Sequence, residues 1–230
     1  MTKSIILICF LFLVGCSNSK KPSSKYDYSG FEQKIANNKN YDVFSFSRRL
    51  INKDNKDTNA VLEPNKNALY SYFLTAFREG NLLEANSDTI IRFLWLRTFD
   101  KPVLIKIFKD KSLYKVETKI TNGTGGYIAG TQEYFSQIII NDSIRKNLFD
   151  EKFFQIIYQH SLSSYSKGSD GAYWLLEFKI GKKYYFKERW SPTVFAANRD
   201  SMELKTFENY CLKIIKLANY PINRTLSHIY

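Results

Sequence analysis

Histidine and cysteine are scarce in this 230-residue chain, which holds two of the first and three of the second. His160 and His228 stand far apart, neither beside a nucleophile motif, and a lone histidine is ordinarily a solvated side chain. Two histidines and one usable thiol do not make a zinc site of any usual spacing. Neither G-x-S-x-G nor H-E-x-x-H occurs, so two common hydrolase signatures are missing. "NGTGG" at 122–126 lacks the G-K-[ST] ending of a phosphate loop and precedes an extended run, so it reads as a turn. No block of five like charges and no internal repeat is present, which argues against a polyionic tail and a solenoid. The sequence therefore points to no cofactor, no metal and no catalytic set, and an enzyme is the weaker reading.

Long apolar runs are lacking too. The N-terminal run, residues 5–14, has ten residues, half of the roughly 20 needed to span a bilayer. It follows Lys3 and ends in Leu13-Val14-Gly15-Cys16, which resembles the lipobox of bacterial lipoproteins. That resemblance implies a signal peptide over 1–15, a diacylglycerol on the Cys16 thiol, export, and a protein held on a membrane of the cell envelope. Acyl chains contribute about 0.8 kcal/mol per buried CH₂, so two or more form a lasting anchor. Residues 16–27 then read as a lipidated polar linker broken by Pro22. Cys9 leaves with the signal and Cys16 carries lipid, so Cys211 stays as a free thiol and no intramolecular disulfide forms.

What the chain has in excess is positive charge. Thirty-four Lys and Arg against 22 Asp and Glu give +12; loss of Lys3 with the signal leaves 33 against 22, or +11. An exported lipoprotein does not meet the chromosome, so nucleic acid is not the expected partner. The membrane reached through the acyl anchor is one partner, and an envelope protein or anionic envelope component is the other. A lysine-rich surface that serves solubility is the simpler explanation.

The patterning predicts an α+β fold, an antiparallel meander sheet plus a C-terminal hairpin, with helices packed on one face. Residues 28–88 read as an N-terminal extension with one amphipathic helix, and 89–220 as the α+β domain. Within the extension, "YDVFSFSRRLI" suits a short helix or strand. "NKNALYSYFLTAFREGN" carries apolar residues at 68, 69, 72, 73, 76 and 77, with Asn65 or Asn67 to cap it and Gly80 to end it. Three extended runs follow from residue 89, then the glycine-rich corner "TNGTGGYIAG" and a fourth strand over 131–140. A helix over about 150–161 is capped by Asp150 and buries Phe153, Phe154, Ile157 and Tyr158. The last helix runs from about Ser201 to Ala218 with a stripe of Leu204, Phe207, Cys211, Ile214 and Ala218, which makes Cys211 a small core residue.

The hairpin "AYWLLEFKI-GK-KYYFKERW" admits two registers. A loop of three residues, 181–183, sets Ile180 against Tyr184, Phe178 against Phe186 and Trp174 against Trp190, with Glu177 opposite Lys187. It keeps apolar residues on one face and is the expected register. It leaves Glu188 opposite Leu176 on that face, in need of a cation, and Arg97 or Arg92 is the candidate. Arg97, Asp170, Arg189 and Trp190 gather at strand ends and are the candidate binding residues, since Arg and Trp supply most interface hot-spot energy. The competing explanation is a purely structural network.

"RFLWLRTFDKPV", "GTGGYIAG", "DGAYWLLE", "ERWSP" and "CLKIIKL", in that order, resemble an uncharacterised family of Bacteroidetes-type lipoproteins over roughly residues 90–218. The resemblance implies an envelope location and a single domain, and it brings no activity or functional residues. The expected function is a lipid-anchored binding or structural module of the envelope. An inhibitor or immunity protein against an envelope toxin, and an unrecognised hydrolase, are the alternatives.

Overall fold

Strand-forming runs rich in Ile, Leu, Phe and Trp build the central sheet. The computed structural model describes residues 64–150, 153, 156, 170–192 and 202–218. Cys16, the 41–51 segment, His160 and His228 lie outside the described residues. Helix α1 (Pro64–Ala76) precedes strands β1 (Thr89–Arg97), β2 (Val103–Asp110), β3 (Leu113–Thr121) and β4 (Gln132–Ile140). Helix α2 (Asp142–Leu148), strands β5 (Ala172–Ile180) and β6 (Lys183–Trp190) and helix α3 (Met202–Leu217) complete the order. The six strands form one sheet in the order β4-β3-β2-β1-β5-β6, every neighbour antiparallel. The α+β meander with its C-terminal hairpin is the expected class. Among the described residues no helix is long and apolar enough to cross a membrane.

Helices α2 and α3 share one face of the sheet, as expected. Phe207, Cys211 and Ile214 of α3 and Leu148 of α2 pack with Phe93, Trp95, Trp174 and Phe178. The anticipated α3 stripe is buried at Leu204, Phe207, Cys211, Ile214 and Ala218. Asp150 accepts a hydrogen bond at Oδ1 from the Phe153 N–H, 3.1 Å away, and Phe153 is helical and buried. Helix α2 has no counterpart in the sequence expectation, although Asn141 caps it through an Ile144 N–H bond of 2.9 Å.

The opposite face is covered by α1, the helix read as part of an extension. Tyr70, Phe73, Leu74 and Phe77 are fully buried against Leu94, Leu96, Leu104 and Leu175. The buried stripe is therefore 70, 73, 74 and 77, rotated from the expected 68, 69, 72, 73, 76 and 77, because the sheet receives Tyr70 and Leu74. The helix begins at Pro64, so the expected asparagine caps give way to a proline, which suits a first helical turn. Its end differs too. Arg78 adopts φ 56°, its N–H reaches the Thr75 carbonyl and the Glu79 N–H reaches Leu74. This is a Schellman ending with arginine where glycine is usual, and Gly80 is not the terminator.

The hairpin register differs from the expected three-residue loop by one position. Ile180 pairs with Lys183, Phe178 with Tyr185, Glu177 with Phe186 and Leu175 with Glu188. The loop has two residues, Gly181 and Lys182, and Gly181 at φ 58° supplies the positive φ of a type II′ turn. With helices on both faces, neither side of the hairpin needs to be polar, so the penalty against this register vanishes.

Candidate functional site

The four candidate residues lie at one end of the sheet, but not on one surface. Arg97 closes β1 opposite Ala172, and Asp170 stands exposed two residues before that position. Arg189 pairs with Trp174 and therefore shares the α3 face with Arg97, whereas Trp190 pairs with Tyr173 on the α1 face. Arg97 is buried, its guanidinium 4.2 Å from the Trp95 ring centroid and 3.5 Å from Asp100. Arg189 is also buried, over the Phe207 ring, and donates to the Glu188 carbonyl at 2.7 Å. Trp190 is half-buried, packed edge-on to Tyr173 at 4.5 Å and closely against Gly171.

Arg97 does not neutralise Glu188. Glu188 pairs with Leu175, which places it on the α1 face, away from Arg97. Its neighbour there is the fully buried Tyr70, whose phenol pKa is raised well above normal by burial first and the Glu188 charge second. The expected partner was wrong because the expected register was wrong.

Beside Asp170 and Lys101, this end exposes two aromatic rings that the sequence pattern does not mark. Phe99 in the β1–β2 turn and Tyr127 in the β3–β4 loop are 60% and 42% exposed, their ring centroids 6.3 Å apart. The glycine-rich loop fixes them. Gly125 donates to the Asp100 carbonyl at 2.9 Å, and Gly126 to the Thr98 carbonyl at 3.2 Å. A Cβ at Gly125 would lie 2.5 Å from the Arg97 backbone nitrogen, so only glycine permits that approach. The available signal was an aromatic inside each of two turns.

A second polar assembly lies under α1. One row of cross-strand neighbours reads Glu117, Lys106, Arg92, Glu177 from β3 to β5. Arg92 grips Glu177 with both Nε and Nη2, at 2.6 and 2.8 Å, and Tyr184 donates to the same carboxylate at 2.9 Å. Lys106 bonds Glu117 at 2.9 Å. The two cations in the middle would repel, as like charges opposite one another do. Glu79, carried over the sheet by the Schellman turn, answers them: it lies 3.0 Å from Lys106 and 3.7 Å from Arg92, and also binds Lys119. Burial raises the Glu79 pKa most strongly of any single cause, yet the combined attraction of Lys106, Lys119 and Arg92 leaves it below the ordinary carboxylate value. Three carboxylates thus meet three cations. The assembly is neutral and saturated, which is what a structural lock needs and not what an anion or cation receptor leaves open.

An open groove of roughly 640 Å³ borders this lock, lined by Glu79, Asn81, Ile90, Lys106 and Phe108 among others. Its charges are of both signs. Cys211 is free and fully buried, and burial, then Glu208, pushes its thiol pKa well up. That opposes thiolate formation and hence nucleophilic chemistry. Among the described residues no three His, Cys, Asp or Glu side chains converge as metal ligands. No protein-family model, no curated protein and no solved structure matches the chain.

Proposed function

We propose that this chain is a lipid-anchored binding module of the bacterial cell envelope, which docks a partner protein on the aromatic end of its sheet. The observation that carries the docking is the Phe99–Tyr127 pair, two exposed rings held in place by backbone bonds from Gly125 and Gly126. A rigid aromatic pair presents contact area without losing much side-chain entropy on binding, which is how interface hot spots work. Asp100, next to Phe99, lies beside the buried Arg97, and Lys101 pairs with Glu133 close by. These groups supply a charged rim. Anchoring rests on the lipobox-like Leu13-Val14-Gly15-Cys16, and the polar linker to residue 27 gives the domain reach from the membrane.

Two measurements test the reading. An alkynyl palmitate fed to cells should label the wild type and not Cys16→Ser; equal labelling of both removes the anchor. A photo-crosslinking residue at Phe99 or Tyr127 should give one discrete adduct in intact cells, while the same residue at Leu113, exposed at the other end of the sheet, gives none. Equal adducts at both ends, or none at either, remove the docking surface.

A further inference from the structure

The two edges of the sheet are built differently. Edge strand β6 has charges turned into the covered face, Lys187 and Arg189, both buried, with exposed Lys183 at its start. Inward-pointing charges and lysines are how natural sheets discourage further strand pairing. Edge strand β4 has none of these. Its sequence, Gln132 to Ile140, holds no Lys, Arg or Pro, and its only charge, Glu133, is tied to Lys101 of its own chain. Apart from a shift at Ile120/Thr121, the strand pairs regularly with β3 from Tyr134 to Ile140. Among the described residues no strand pairs with its outer side. Tyr134, Ile138 and Ile140 turn toward the core. Phe135 and Ile139 turn outward on the α1 face, 50% and 62% exposed. Such an edge is a template for another strand.

We propose that β4 pairs antiparallel with β4 of a second copy of this chain, about a twofold axis at Gln137, joining two sheets of six strands into one. The strand is self-complementary in that register. Phe135 falls opposite the second copy's Ile139, and Ile139 opposite its Phe135, giving two aromatic-to-β-branched pairs of the favourable kind. On the other face Tyr134 meets Ile140 and Ser136 meets Ile138. Glu133 meets Asn141, so no like charges oppose each other, and local neutrality allows contact between two chains of net charge +12. Moving the axis one residue, to Ser136, would set Ile139 against Glu133 and Phe135 against Gln137. A single strand edge with two large side chains per copy lies at the small end of specific interfaces, so the dimer is expected in the micromolar range.

The purified full-length protein tests this by sedimentation equilibrium over a concentration series, with oxidative crosslinking alongside. Gln137→Cys places the two thiols directly opposite one another, within disulfide reach. Glu133→Cys separates them by eight residue steps, roughly 27 Å. Wild type oxidised in parallel gives the background from its own cysteines. The expected result is a concentration-dependent dimer, crosslinked through Gln137→Cys and not through Glu133→Cys. Phe135→Lys combined with Ile139→Lys, both at exposed positions, should abolish the dimer while leaving the melting temperature unchanged. A protein that stays monomeric at high micromolar concentration overturns the proposal, as does crosslinking that ignores position. So does a dimer that survives the double lysine variant, because its interface must then lie elsewhere.

Discussion

Arg92 and Glu177 meet with no solvent on either side chain, and Tyr184 and the Gly80 carbonyl complete their hydrogen bonding. Removing one member leaves the other charged and buried, which typically costs about 3–5 kcal/mol. Arg92→Ala should therefore lower stability by that amount in urea titration, and a loss under about 1 kcal/mol would show that the network is dispensable. Glu79 makes the acid side specific. Its folded pKa lies below its unfolded value, so its contribution is present in full above the ordinary carboxylate pKa and disappears as pH falls through the lower, folded one. Stability should drop in that acidic window for the wild type, and Glu79→Gln should flatten the drop while lowering stability at pH 7. A wild-type profile identical to that of the variant would contradict the assignment. Arg92 was visible in the sequence as a charge in an apolar strand. Its partner was not, because naming Glu177 needs the β1–β5 register, which nothing local fixes across a sequence separation of 85.

The β3–β4 loop shows how an element can be recognised and still misjudged. "TNGTGG" was legible as a turn, since clustered glycine, threonine and asparagine break regular structure. What the glycines are for is settled by the backbone at the end of β1, where Arg97 lies 2.5 Å from the place a Cβ on Gly125 would take. Gly125→Ala should displace the loop from the β1–β2 turn and cost about 1–3 kcal/mol, as overpacking does. It should also separate Tyr127 from Phe99, and near-ultraviolet circular dichroism would record the change. An unchanged spectrum and melt would mean the corner has slack. The hairpin teaches the converse. Gly181-Lys182 carries the turn signal of the observed loop, the Gly-X pair of a type II′ turn, while the face pattern of the flanking strands favours three residues. A preference for one apolar face holds only where a single face is buried, and α1 makes it two.

At the scale of the whole molecule, the sheet is a middle layer with apolar side chains on both sides. Cys211 sits at the bottom of the larger side, between Phe207 and Ile214 on α3. Its reaction with a thiol reagent should follow opening of that layer, slow in native buffer and fast in denaturant, with a rate that rises as Arg92→Ala destabilises the opposite face. Rapid labelling of the native protein would mean that α3 detaches independently.

The sequence by itself determined where the six strands and helices α1 and α3 lie, though not α2, because alternation, helical stripes and turn residues are local properties read over a few residues. It determined the meander, since short turns leave consecutive strands little choice but to pair. It also placed Cys211 in the core and Asp150 at a helix start. Only the tertiary structure decided that α1 belongs to the sheet, that the hairpin closes with two residues, and that Arg92 meets Glu177 while Arg97 and Glu188 face apart. Each of these depends on which face of a strand is covered, and with both faces buried the apolar pattern no longer distinguishes one side from the other.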